Sequence, residues 1–205
     1  VKQIRKCLKK NDHQILRLNV LASTMGQVMA LLPAVPEGRL HTRTLYDMQS
    51  KLVNQFGWRH YERIHLNLEA KSELNWWVSN LQKRRDTPLT ARFQSHELTV
   101  VVTDASDLAI AGSLITAKNQ PSWHRRLTRK ERRLRINAKE AIAVLESLQM
   151  FESIIANSHV NVRSDSSTVV AAINKWGTRD NEMRPTILQI FEWARRTNSQ
   201  VTATY

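Results

Sequence analysis

Cysteine is almost absent: Cys7 is the only one in 205 residues. No disulfide can therefore close within the chain, and a zinc site built on several thiolates is excluded. That usage points to an intracellular setting, cytoplasmic or nuclear. Long apolar runs are missing as well. No stretch reaches the roughly 18 apolar residues that a membrane helix needs, and the basic opening from Val1 to Lys10 lacks the apolar centre of a signal peptide, so no membrane role is expected. Acidic residues are scarce: 18 Asp and Glu stand against 31 Lys and Arg, a formal charge of +13 with a pI near 10.5. In a chain without repeats or low-complexity segments, such a surplus points to a polyanionic partner. Nucleic acid is the better fit, because no basic helix carries the large apolar face that a membrane surface requires. The chain starts without Met and stops at Thr204-Tyr205 inside a strand-like stretch, so a piece of a longer protein is expected.

What is present is organised around Leu98-Thr-Val-Val-Val-Thr-Asp-Ala-Ser106, a β-branched run that delivers Asp104 at its end. Upstream the pattern is helical. A short basic helix over residues 1–10 is followed by one from about His13 to Leu32, capped by Asn11 or Asp12 and ended by Pro33 and Pro36. Further helices are expected over Thr42–Gln55 and Glu69–Leu81. Trp76-Trp77 is expected to pack against the next domain. His60 and His65 lack the spacing and acidic company of a metal site and read as surface or stacking residues. The domain boundary falls near Arg92, dividing a mainly helical segment, 1–92, from a second domain, 93–205.

In that second domain, strands at Asp104, Ile110–Thr116 and Ser122–Arg126 precede a helix from about Ala138. A strand His159–Asp165 follows, then a helix capped by Ser166 or Ser167 and ended at Gly177, a helix Met183–Arg196 and a last strand from Gln200. The order β-β-β-α-β-α-α-β is that of an α/β layer fold with a mixed sheet. If its first and fourth strands are adjacent and parallel, Asp104 and Asp165 meet at one sheet edge, which Glu140 can reach from the helix packed across it. Three converging carboxylates resist ionisation unless a cation lies between them, and hard oxygen ligands favour magnesium or manganese.

Thr103-Asp-Ala-Ser106, Trp123, Ile136-Asn-Ala-Lys-Glu140, Ser164-Asp165, Ile173-Asn-Lys175 and Gly177-Thr-Arg179 resemble the ribonuclease H domain of DIRS-type retrotransposon polyproteins. Upstream, Leu21-Ala-Ser23, Pro33-Ala-Val35, Gly38-Arg-Leu40, Leu68-Glu-Ala70 and Leu74-Asn-Trp-Trp77 are similar to the segment that joins reverse transcriptase to ribonuclease H in those elements. The resemblance implies a ribonuclease H-like mixed five-stranded sheet with flanking helices, preceded by a mainly helical thumb or connection subdomain. It also implies hydrolysis of the RNA strand of an RNA/DNA hybrid, with two ions, Mg²⁺ or Mn²⁺, flanking the scissile phosphate. Asp104 would bridge the ions, Glu140 would ligate one, and Asp165 would complete the shell. A further implied partner is the polymerase part of the same polyprotein.

Arg125, Arg126, Arg129, Lys130, Arg132, Arg133 and Arg135 form a basic run before the Glu140 helix, suited to phosphates. Asn137, Ser166, Asn174 and Thr178 are candidates for minor-groove or 2′-hydroxyl contacts. Three departures from the family pattern stand out. Ala109-Ile-Ala-Gly112 replaces a Gly-Trp-Gly-like stretch, Ser166 stands where Asn is usual, and the family's fourth carboxylate lies beyond the last strand, past Tyr205. The alternative expectation is therefore a catalytically inactive nucleic-acid-binding or scaffold module of the same fold. An integrase-type arrangement fits less well, because its acids run Asp, Asp, Glu and these run Asp, Glu, Asp.

Overall fold

The computed structural model describes residues 2–13, 16–32, 34–58, 64–83, 98–116 and 120–205. The chain divides into two compact units, 1–91 and 92–205. His60, Pro33 and the boundary near Arg92 lie outside the described residues.

The first unit holds α1 (Lys2–His13), α2 (Leu18–Ala30), a 3₁₀ turn at Pro36–His41, α3 (Arg43–Phe56) and α4 (Leu68–Lys83). Its core is the apolar set that helical spacing selects: Leu21, Met25 and Val28 from α2, Leu45 from α3, and Ala70, Leu74 and Trp77 from α4. Ile4 and Cys7 of α1 join it. The helix expected from His13 to Leu32 is broken. Leu16 is buried with its carbonyl accepting the Ile64 N–H at 2.9 Å, and Arg17 is extended, so α2 starts only at Leu18. The Trp pair packs inside its own unit: Trp77 is fully buried and donates to the His41 carbonyl at 2.9 Å, while Trp76 stacks on the His41 ring at 3.8 Å. Both oxygens of buried Glu73 accept N–H groups at the start of α3, from Thr44 at 2.9 Å and Leu45 at 3.0 Å. A carboxylate from α4 thus caps a helix that its own N-cap side chain leaves uncapped.

The second unit is a five-stranded sheet: β1 (Leu98–Ala105), β2 (Ala109–Ile115), β3 (Ser122–Arg126), β4 (His159–Arg163) and β5 (Gln200–Thr204), in the order β3-β2-β1-β4-β5. β1 pairs antiparallel with β2 and parallel with β4, and β4 pairs parallel with β5. The sheet is mixed, as the element order implies. Its helices are α5 (Ile136–Met150), a short α6 (Glu152–Ile155), α7 (Ser167–Lys175) and α8 (Arg184–Arg196). α5 is buried along most of its length, with Ala138, Ala141, Val144 and Leu148 in the core.

Close approach of α5 to the sheet depends on Gly112. A Cβ there would lie 2.0 Å from the Ser147 Oγ and 2.7 Å from the Trp123 Nε1, atoms that are themselves hydrogen-bonded to each other. α7 ends one residue earlier than its sequence implies. Trp176, not Gly177, takes the left-handed conformation (φ 46°), with its ring packed edge-on to Phe191 at 5.0 Å. The Gly177 N–H closes the motif on the Ala172 carbonyl.

Candidate metal centre

The last register pair of β1 and β4 is Val102 with Arg163, and Asp104 and Asp165 each lie two residues further along. Parallel pairing of the two middle strands therefore brings both carboxylates to the same sheet edge. α5 crosses behind that edge and presents Glu140 from its first half. One oxygen from each of Asp104, Glu140 and Asp165 lies within 4.8 Å of the others. Asp104 and Asp165 are exposed, whereas Glu140 is buried beneath them.

Glu140 is held by the backbone. Its Oε1 accepts the Ala105 N–H at 3.0 Å, while its Oε2 is buried without a hydrogen-bond partner. Burial, reinforced by the nearby charges of Asp165 and Asp104, pushes its pKa up to about 7, against the pull of the Ala105 N–H. A buried carboxylate oxygen with no partner, facing two further carboxylates, is a poor arrangement by itself and a good one around a cation. The donor set is oxygen only, so the residues present fit a hard divalent ion such as Mg²⁺ or Mn²⁺.

The surrounding side chains divide into those free to face a ligand and those already used. Ser166 caps α7 by accepting the Val169 N–H and donates to Asn137 Oδ1 at 3.1 Å, so two candidate contacts sit together beside the acids. The Ser164 Oγ, accepting the Ser166 N–H at 3.2 Å, shapes the turn that carries Asp165. Thr178 is occupied in accepting the Asp180 N–H. The Asn174 amide pairs with both backbone groups of Ala203, donating at 2.8 Å and accepting at 2.9 Å, and so seals β5. In the basic run, Arg126, Arg129, Lys130, Arg132, Arg133 and Arg135 are exposed. Arg125 is not a free cation but is ion-paired with Glu131 and Glu146. Lys139 gave no sequence signal. It is buried next to Glu140, with its Nζ on Asp107 Oδ1 at 2.7 Å, tying α5 to the β1–β2 turn.

A strand order of β3-β2-β1-β4-β5 with an acid at the end of each middle strand and a third on the crossing helix defines a ribonuclease H-like fold. Residues 94–191 match the family model of the RNase H-like domain found in reverse transcriptase, so the second unit is similar to the RNase H-like domains of those enzymes. Similar solved structures include RNase H1 from the halophilic archaeon Halobacterium salinarum, 15% identical over 52% of this chain and 83% of that one, with a TM-score of 0.38. Another is the N-terminal RNase H domain of a Mycobacterium tuberculosis protein, 15% identical over 52% and 84% of the two chains, with a TM-score of 0.43. A foamy viral protease-reverse transcriptase in complex with RNA/DNA hybrid is 16% identical over 99% of this chain but only 26% of its own, with a TM-score of 0.37. No curated protein matches the chain. Among the described residues, no helix is long and apolar enough to cross a membrane.

Proposed function

We propose that the second unit is the ribonuclease H of a retroelement reverse transcriptase, of the DIRS type, and that it hydrolyses the RNA strand of RNA/DNA hybrids. The first unit, on this reading, is the thumb or connection segment that links it to a polymerase, in the cytoplasm or nucleus. The observation that carries the proposal is the convergence of Asp104, Glu140 and Asp165, with the Glu140 Oε2 buried and unsatisfied. The match of residues 94–191 to the reverse-transcriptase RNase H-like model supports the same reading.

Each residue then has a role. Asp104, Glu140 and Asp165 would hold the divalent ions, with the Glu140 Oε1 fixed on the Ala105 N–H. The chemistry that two Mg²⁺ or Mn²⁺ ions supply in such a site is activation of water and stabilisation of the departing 3′ oxygen. Asn137 and Ser166, joined by their own hydrogen bond, are placed to meet a sugar edge, where a 2′-hydroxyl distinguishes RNA from DNA. The exposed basic residues from Arg126 to Arg135 supply phosphate contacts.

The test is cleavage of an end-labelled RNA strand in a hybrid, with Mg²⁺ and with Mn²⁺, by the unaltered chain and by Asp104→Asn and Asp165→Asn. The expected result is hybrid cleavage, no cutting of duplex DNA, and loss of about two orders of magnitude or more in rate in each variant. Salt-sensitive binding of hybrid without cleavage by the unaltered chain would replace the enzyme with the non-catalytic scaffold.

A further inference from the structure

Seven basic residues from the end of β3 to the start of α5 invite the assumption that all seven face a ligand, and the hydrogen bonds of Arg125 contradict it. In β3, Arg125 pairs in register with Ile110, which is buried beneath α5, so its side chain runs toward that helix and not outward. There its Nε donates to Glu146 Oε2 at 2.6 Å and its Nη2 to Glu146 Oε1. Nη1 and Nη2 also donate to the two oxygens of Glu131, at 2.9 and 2.8 Å, and Nη1 to the Arg126 carbonyl at 3.0 Å. A guanidinium has five N–H donors, and these five bonds use them all. Nothing remains for a phosphate.

Of the two carboxylates, Glu131 is committed further. Glu131 also accepts the Thr128 N–H at 2.7 Å, while the Thr128 Oγ1 accepts the Glu131 N–H at 3.3 Å, a reciprocal cap on the 3₁₀ turn Glu131–Arg133. The Arg125 guanidinium holds the Glu131 carboxyl down at about 2, so the pairing persists through the physiological range. Arg132 adds a bond from its Nε to the Leu127 carbonyl, and the Arg135 N–H is held by Glu182.

We propose that Arg125, Glu131 and Glu146 form an internal tie that shapes the 127–135 segment, so that Arg126, Arg129, Lys130 and Arg133 meet a nucleic-acid backbone already in position. The tie acts through these four and touches no substrate itself; it rests on the polyanion-binding reading above. Its physical consequence is one of sign. Electrostatics alone says that deleting an acid beside a basic surface strengthens binding to a polyanion. A positioning role says that deleting Glu146 weakens it, because the cost of ordering the basic side chains then falls on the binding step.

The experiment measures the Kd of the full chain for an RNA/DNA hybrid across a salt series, in EDTA so that cleavage is silent. The variants are Glu146→Ala, Arg125→Met, their double, and Glu192→Ala, an exposed acid of α8 outside the tie that serves as a charge-matched control. The expected result is about fivefold weaker binding for Glu146→Ala, a slightly tighter Glu192→Ala, and a double variant no worse than either single. Amide exchange at Arg132 should quicken in Glu146→Ala while Val101 and Val162 of the central strands stay protected. Glu131→Ala serves in its place where Glu146→Ala does not fold. Binding by Glu146→Ala as tight as that of Glu192→Ala overturns the tie and leaves polyanion binding standing. Failure of the unaltered chain to bind hybrid overturns both.

Discussion

Glu140 bears the largest electrostatic penalty in the site, because it is buried, singly hydrogen-bonded and faced by two acids. Its pKa is raised to about 7 in the folded chain from an ordinary value near 4.5. The folded state therefore holds this proton more tightly than the unfolded state does. In the metal-free protein the penalty is absent below about pH 4.5, grows as pH rises through the interval to about 7 and is complete above it. Glu140→Gln should then stabilise the metal-free chain at pH 8 by about 1–2 kcal/mol, after discounting for solvent at the exposed side of the site, and have little effect at pH 4. Urea denaturation at the two pH values measures this, and equal effects at both would contradict it. At this scale the acids are legible because strand ends advertise them: a β-branched run ends in Asp104, and an apolar alternation ends in Asp165. Lys139 was not legible, since nothing in Ala138-Lys-Glu140 tells a buried ammonium from a solvated one. Its burial depends on Asp107 arriving from a turn far along the chain.

Elements are legible in the sequence where one periodicity governs them and hidden where a tertiary bond decides. The β1 and β4 runs alternate or are uniformly β-branched, and both strands lie where the sequence puts them. The break before α2 lies in an unbroken helical pattern, because the Ile64 N–H that takes the Leu16 carbonyl belongs to a distant segment. Gly177 likewise looks like the residue that ends α7, yet packing of Trp176 on Phe191 moves the left-handed position one residue back. In the sequence Gly112 stands only within a departure from a family motif, and its structural meaning is contact. A methyl group there collides with the Ser147 Oγ and the Trp123 Nε1, forcing α5 off β2. Gly112→Ala should cost about 1–3 kcal/mol, read as a lower urea midpoint with an unchanged slope. The matching change in the first unit is Gly38→Ala, whose Cβ would lie 2.3 Å from the Trp77 ring. It should destabilise that unit by a similar amount, seen as loss of Trp77 amide protection while Val162 of the second unit stays protected.

For the whole molecule, a formal charge of +13 and the exposed basic residues before α5 predict hybrid binding that weakens steeply with salt. Neutralising Arg129 and Arg133 together should make the slope of log Kd against log salt shallower by about 2, without altering the fold. The charge was legible from composition, but its division was not: Arg125 reads as a ligand in sequence and is an internal ion-pair partner in the fold. On the proposed function, the three carboxylates at one sheet edge would hold divalent cations. Calorimetric titration of the full chain with Mn²⁺ at pH 8, beside Asp104→Asn and Asp165→Asn, tests it most directly. Saturable binding that is weakened at least about tenfold by either substitution is the predicted result. Absence of Mn²⁺ binding, or binding to the variants equal to that of the unaltered chain, would contradict a divalent-cation site.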